Sequence, residues 1–189
     1  MEAAASRDID GSTDQENVTM EVFEAVRTLL AVRDYQRQRV PGEVLHTILE
    51  AGRLTASAAN KQPWHFVVVQ EPEMLEKLGE AMPRNAPYVA GAPLAIVVVV
   101  EKTRFSEMDA SRAIQSMLLT AWSEGIGGNW TGGPDTAAAV KPLLGIPDEL
   151  EVVAVLPLGY PADTLGKGKK NRKPLAEIAH RERWDQPFT

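Results

Sequence analysis

The sequence predicts a single domain built as a three-layer α/β/α sandwich. Three runs, 66–69, 94–100 and 151–158, are apolar and rich in β-branched residues, as strands are. Between them, apolar residues recur three and four apart, as on helices that cover a sheet. A chain of 189 residues, 44% hydrophobic and 24% charged, can bury one substantial core. Periodicity alone, with strands alternating with helices, points to a parallel sheet.

Residues 1–18 are polar and read as a mobile N-terminal tail, which leaves 19–189 for the domain. A helical pattern over 19–30 carries Met20, Phe23, Ala25, Val26, Leu29 and Leu30. Pro41 suits the first turn of a second helix reaching about 55. Next comes Ala56-Ser57-Ala58-Ala59-Asn60-Lys61-Gln62-Pro63-Trp64. Its small residues leave backbone N–H groups reachable, and Ser57 and Asn60 add polar side chains. From the residues alone it is either a loop that grips an oxygen-rich ligand or an ordinary connection. Pro63 pushes Gln62 to an extended conformation and launches the strand at 66.

Pro72 opens a third helix to about 81, Pro83 and Pro87 punctuate the irregular stretch 82–92, and Pro93 follows it. The run 94–100 is continuous, so its strand is expected to be buried on both faces. Ser106 and Asp109 read as a capping box. They open a central helix carrying Ala113, Ile114, Met117, Leu118, Ala121 and Trp122. Gly125 suits a left-handed cap, with a short extended piece near Asn129 and Trp130. Asp135 is expected to cap a helix over 136–144, whose exit Pro142 distorts. After the strand 151–158, residues 164–173 are rich in glycine and lysine and read as a mobile loop. A last short helix is expected over 174–181, then an apolar end with Trp184 and Phe188.

Composition removes several function classes. With no cysteine there is no disulfide, thiolate metal site or cysteine nucleophile, which suits a cytoplasmic location. A formal charge of −6 argues against a nucleic-acid binder. The basic stretch Lys167, Lys169, Lys170, Arg172 and Lys173 also lacks interleaved aromatics. No apolar run approaches the ~20 residues of a membrane span, and the polar N-terminus is unlike a signal peptide. His46, His65 and His180 are too scattered for a metal site. There is no P-loop, HExxH or triad. Gly125-Ile126-Gly127-Gly128 has the wrong spacing for a dinucleotide fingerprint and follows a helix.

Five landmarks occur in a familiar order. They are Phe23 through Tyr35, with Val40-Pro41-Gly42-Glu43-Val44-Leu45 and Ile48-Leu49-Glu50-Ala51 after it; the Ser57-to-Trp64 loop; Gly125-Ile126-Gly127-Gly128-Asn129-Trp130-Thr131-Gly132-Gly133; Leu156-Pro157-Leu158-Gly159-Tyr160-Pro161; and Lys170-Asn171-Arg172-Lys173-Pro174. Over about 21–178 this order resembles the FMN-dependent nitroreductase family. The resemblance implies an α+β domain: a three-layer sandwich with a mixed, largely antiparallel sheet, rather than a parallel one. It also implies a homodimer with flavin at the subunit interface. The implied activity is an FMN-dependent NAD(P)H oxidoreductase. Hydride passes from nicotinamide to flavin N5, then to a nitroaromatic, quinone or similar acceptor.

The same resemblance assigns cofactor-binding residues and no catalytic side chain. Lys170 and Arg172 match the family's phosphate clamp. Arg33 matches a cation near the flavin N1 and O2 edge, where it favours two-electron reduction. Gly132 and Gly133 match a segment whose backbone approaches N5 and O4. Ala56, Ser57, Ala58 and Asn60 belong to a loop that reaches the site from the other chain. One departure stands out. Leu29-Leu30-Ala31 occupies the place of the family's Arg-Arg-Ser, which helps hold ribityl and phosphate. Arg27 is a candidate substitute one turn earlier. The loss leaves open a non-enzymatic flavin binder. A different flavin reaction, such as reductive dehalogenation, is disfavoured because the stretch 82–92 is short for a lid.

Overall fold

The structure, a computed structural model, describes residues 20–82, 86–163 and 170–188. The expected N-terminal tail, Pro83 and the loop residues 164–169, with Lys167 and Lys169, lie outside them.

Among the described residues there are five α-helices and four strands: α1 Val22–Thr28, α2 Gly42–Arg53, β1 Trp64–Val69, α3 Pro72–Ala81, β2 Leu94–Glu101, α4 Ser106–Ser123, β3 Gly127–Gly128, α5 Pro134–Leu144 and β4 Leu150–Gly159. The sheet order is β1-β2-β4-β3. Every neighbouring pair is antiparallel, which overturns the parallel sheet that periodicity alone suggests. Between β1 and β2 the chain makes α3 and a 3₁₀ turn, Pro87–Gly91, and returns beside β1 in the opposite direction. One parallel bridge, Ala31 to Gly128, makes the sheet mixed.

The continuous apolar run of β2 is explained by its central place. Leu94, Ile96, Val98 and Val100 face a core formed with Ile48 of α2 and with Ala113, Ile114 and Met117 of α4. Ala95, Val97 and Val99 face a second core with Leu75 and Leu78 of α3 and Val140 of α5. Strand alternation divides one apolar sequence between two layers, and the sandwich follows. On β4 the register against β2 slips by one between Ala154 and Val152, leaving Val153 as the extra residue of a bulge.

Several local expectations shift. α1 is shorter than 19–30, and only Ala25 of its apolar stripe is buried, while Phe23 is 77% exposed. This helix lies beside α4 rather than on the sheet, so its stripe faces outwards. Pro41 precedes α2 as its cap residue rather than standing inside the first turn. Asp135 does not cap α5; Gly133 holds that position and Pro134 opens the helix. The expected helix over 174–181 is a single 3₁₀ turn, Leu175–Glu177. Among the described residues no helix is long and apolar enough to cross a membrane.

Candidate functional site

The turn after α4 builds the centre of the site. Gly125, at φ +75°, ends the helix as a left-handed cap, and Ile126 donates back to Ala121 O at 2.8 Å. Gly127 and Gly128 then run against β4 as β3. A Cβ on Gly127 would lie 2.4 Å from Val32 Cγ2, and one on Gly128 2.6 Å from Leu158 Cδ2. The missing side chains let the linker after α1 lie directly on this edge. Val32 N–H donates to Gly128 O at 2.9 Å. Tyr35 anchors the far end, its hydroxyl donating to Val32 O at 2.6 Å and lying 3.2 Å from Pro157 O. Burial pushes this phenol well above its ordinary pKa, Tyr88 adding and Arg33 opposing, so it stays a neutral donor.

The chain continues through Asn129 and Trp130 to Thr131, which exchanges backbone bonds with Val155 at 3.0 and 2.7 Å. Gly132 follows opposite the β4 bulge, where a Cβ would meet Val153 O at 2.5 Å. Tyr88 braces this segment from the second core. Its hydroxyl pairs with Thr131 Oγ1 at 2.7 Å and accepts from Asn129 Nδ2. Trp130 stands 41% exposed between two clefts. The first, of about 920 Å³, is bounded by Arg27, Leu29, Asn129, Trp130, Lys170 and Arg172, among others. The second, of about 730 Å³, contains Gly132 and Gly133.

The first cleft gathers positive charge. Lys170 Nζ donates to Val26 O at 2.7 Å. Burial first, then the nearby Arg172 and Arg27, lowers its pKa. Arg27 Nε and Nη2 bond to both oxygens of Glu24 at 2.8 and 2.6 Å. Leu29, Leu30 and Ala31 line the same cleft and add no charge. Lys170, Arg172, Gly132 and Gly133 thus lie on two clefts that share Trp130.

The other expected residues are elsewhere in the single chain. Arg33 is exposed, with its guanidinium 5.7 Å from the centre of the Tyr88 ring. Ala56, Ser57, Ala58 and Asn60 line neither cleft. Ser57 Oγ accepts from Gln62 N–H at 2.8 Å, and Ala58 N–H lies 3.1 Å from both oxygens of Asp109. Asp109 is 2% exposed and holds this loop at the start of α4. The first cleft meets α4 at Gln115 and Leu118, six and nine residues on, about 9 and 13 Å further along the axis. Sequence reasoning read Asp109 as a helix cap; its carboxylate instead serves another element. Tyr88, hidden between prolines, gave no periodic signal.

A protein-family model for the nitroreductase family matches residues 30–88 and 83–160. The chain belongs to the nitroreductase family. This nitroreductase-family chain is 39% identical over 166 residues to a protein of Methanothermobacter thermautotrophicus with the provisional name NADH dehydrogenase/NAD(P)H nitroreductase; the match covers 84% of each. Among solved structures, a provisionally named nitroreductase of Desulfovibrio desulfuricans in complex with FMN superposes with a TM-score of 0.76 at 30% identity, covering 89% of this chain and 98% of that one. An iodotyrosine deiodinase bound to FMN and 3-iodo-L-tyrosine shares the fold, with a TM-score of 0.76 at 22% identity, over 86% and 99% of the two chains. The nitroreductase assignment makes the protein an oxidoreductase and agrees with the antiparallel sheet.

Proposed function

We propose that this nitroreductase-family protein is an FMN-dependent NAD(P)H oxidoreductase that reduces a nitroaromatic, quinone or similar acceptor. The observation that carries the reading is the cluster of Arg27, Lys170 and Arg172 in the cleft beside Asn129 and Trp130. A phosphate monoester suits that donor set. Arginine offers planar N–H pairs to phosphate oxygens and lysine a point charge. Burial first, and then Arg172 and Arg27, lowers the pKa of Lys170, and a bound anion would offset the part due to the two arginines. FMN therefore fits the residues present.

When bound, FMN supplies the chemistry for moving two electrons from a nicotinamide to an acceptor. Lys170 and Arg172 hold the phosphate end. Gly132 and Gly133 present backbone without side chains on the far side of Trp130, which allows close approach. Arg33, steadied over Tyr88, provides a fixed positive charge. In this reading the chain contributes positioning and electrostatics. The loop with Ala56, Ser57, Ala58 and Asn60 serves the site of a second copy, in a homodimer.

One observation favours a second reading, a flavin binder without turnover: Leu29, Leu30 and Ala31 line the cleft and bring no charge or side-chain hydrogen bond to a cofactor. The visible spectrum of the purified protein with FMN, before and after adding NAD(P)H and then a quinone, separates the two. The oxidoreductase loses its flavin absorbance with NAD(P)H and regains it with the acceptor. FMN binding with no response to NAD(P)H supports the binder, and binding of FAD equal to FMN overturns the cofactor assignment. Arg172→Ala is expected to weaken FMN by about 1.5–3 kcal/mol and to leave riboflavin nearly unchanged.

A further inference from the structure

We propose that Arg27 is a third phosphate-binding cation of the first cleft and that Glu24 is its internal competitor. The inference rests on the FMN reading above and concerns how tightly the phosphate is held. Arg27, Lys170 and Arg172 line one cleft. The nearest linker residues, Leu29, Leu30 and Ala31, offer no charge, so Arg27 is the cation that α1 contributes. Its position is set by the structure around it. Thr28 accepts from Trp122 Nε1 at 2.9 Å, which fastens the end of α1 to α4. Lys170 bonds the carbonyl of Val26, the residue before Arg27. The phosphate clamp and the end of α1 are therefore one assembly.

Glu24 occupies the useful edge of that guanidinium. Its two oxygens take Nε and Nη2, the edge with which arginine grips a carboxylate or phosphate in bidentate fashion. The pair is spaced three residues apart on α1, with side chains 49% and 39% exposed. An ion pair in that setting is weak and screened by salt. A phosphate dianion already held by Lys170 and Arg172 can take over the same edge. Glu24 then lowers the affinity by holding the edge of Arg27 that the phosphate needs.

The test is a fluorescence titration of FMN and of riboflavin against the full-length protein, Arg27→Ala, Glu24→Gln and the double variant. It is run at low and at near-physiological salt, with circular dichroism to confirm folding. Arg27→Ala is expected to weaken FMN about tenfold, the factor for one charge-assisted bond, and to move riboflavin less than about twofold. Glu24→Gln is expected to tighten FMN several-fold, more at low salt, with riboflavin unchanged. The double variant is expected to fall close to Arg27→Ala, since the competition runs through the Glu24–Arg27 pair. Inorganic phosphate, used as a competing probe, is expected to follow the same order. A preference for FMN over riboflavin that is unaltered in both single variants overturns the inference and leaves the clamp at Lys170 and Arg172 standing. A wild-type protein with no such preference overturns both.

Discussion

Ala59 holds φ +50° and ψ +28° inside the 3₁₀ turn Ala58–Asn60, and Asn60 follows at φ +54°. Asparagine tolerates this left-handed region, whereas alanine crowds its Cβ against the carbonyl at a cost of about 1–2 kcal/mol. The turn survives because Asp109 and Ser57 bind its two ends. Ala59→Gly removes the strain and adds roughly 0.5–1 kcal/mol of chain entropy. A net gain of about 0.5 kcal/mol in denaturant unfolding is expected, and a loss of stability would show that the turn is unstrained. Lys170 gives a pH prediction. Burial and two arginines lower its pKa below the ordinary 10.5, so the folded chain holds this proton less tightly than the unfolded chain. Below 10.5 but above the lowered value, stability rises with pH from this group. A bound phosphate favours the charged ammonium. The ratio of FMN to riboflavin affinity is therefore expected to fall as pH rises through the lowered Lys170 pKa. Lys170→Arg, always charged, should flatten that profile; a wild-type ratio independent of pH removes Lys170 from the clamp.

At the scale of elements, β3 is two glycines long, yet it places the whole cleft wall. It pairs with β4 on one side, and on the other the bridge from Ala31 to Gly128 sets the linker from Leu29 to Val32. Gly127→Ala forces the new methyl group onto buried Val32, an overpacking expected to cost about 1–3 kcal/mol. Because Val32 must retreat with its linker, flavin affinity is expected to fall as well. Gly125→Ala is the control. Its φ of +75° makes alanine strained, but nothing lies within 4 Å of the added Cβ. It should cost about 1–2 kcal/mol and leave flavin affinity intact. Equal binding losses from the two variants would refute the steric account.

At the scale of the whole molecule, exposed apolar side chains among the described residues support the proposed homodimer. Val22, Phe23 and Val26 on α1, and Leu175, Ile178, Trp184 and Phe188 near the C-terminus, are each at least 47% exposed. Such residues in patches mark an interface, and a two-fold pair is the commonest closed solution. Sedimentation is expected to give a dimer at micromolar concentration, and Phe23→Glu to weaken it. Because Asn60 and Arg172 lie in separate parts of one chain, Asn60→Ala and Arg172→Ala homodimers should each lose both flavin sites. Their heterodimer should recover about one tight site. A stable monomer that binds FMN tightly ends the shared-site idea.

Local pattern was enough to place α3, α4, β2 and β4 within a few residues, because each carries an unbroken periodicity or apolar run. The left-handed cap at Gly125 was legible for the same reason: it depends on a local backbone need. The positive charge of Lys170 and Arg172 was readable against an acidic background, and the structure gathers both in one cleft. Other features needed the folded chain. Strand direction depends on how 70–93 turns back, which residue type does not encode. The role of Asp109 depends on Ala58, 51 residues away in sequence, so its carboxylate looked like a local cap. The burial of an apolar stripe depends on what stands opposite it, and among the described residues nothing covers Phe23. The sequence by itself thus determined the segments and their chemistry; the tertiary structure decided which of them meet, because contact between distant residues is set by packing and not by local periodicity.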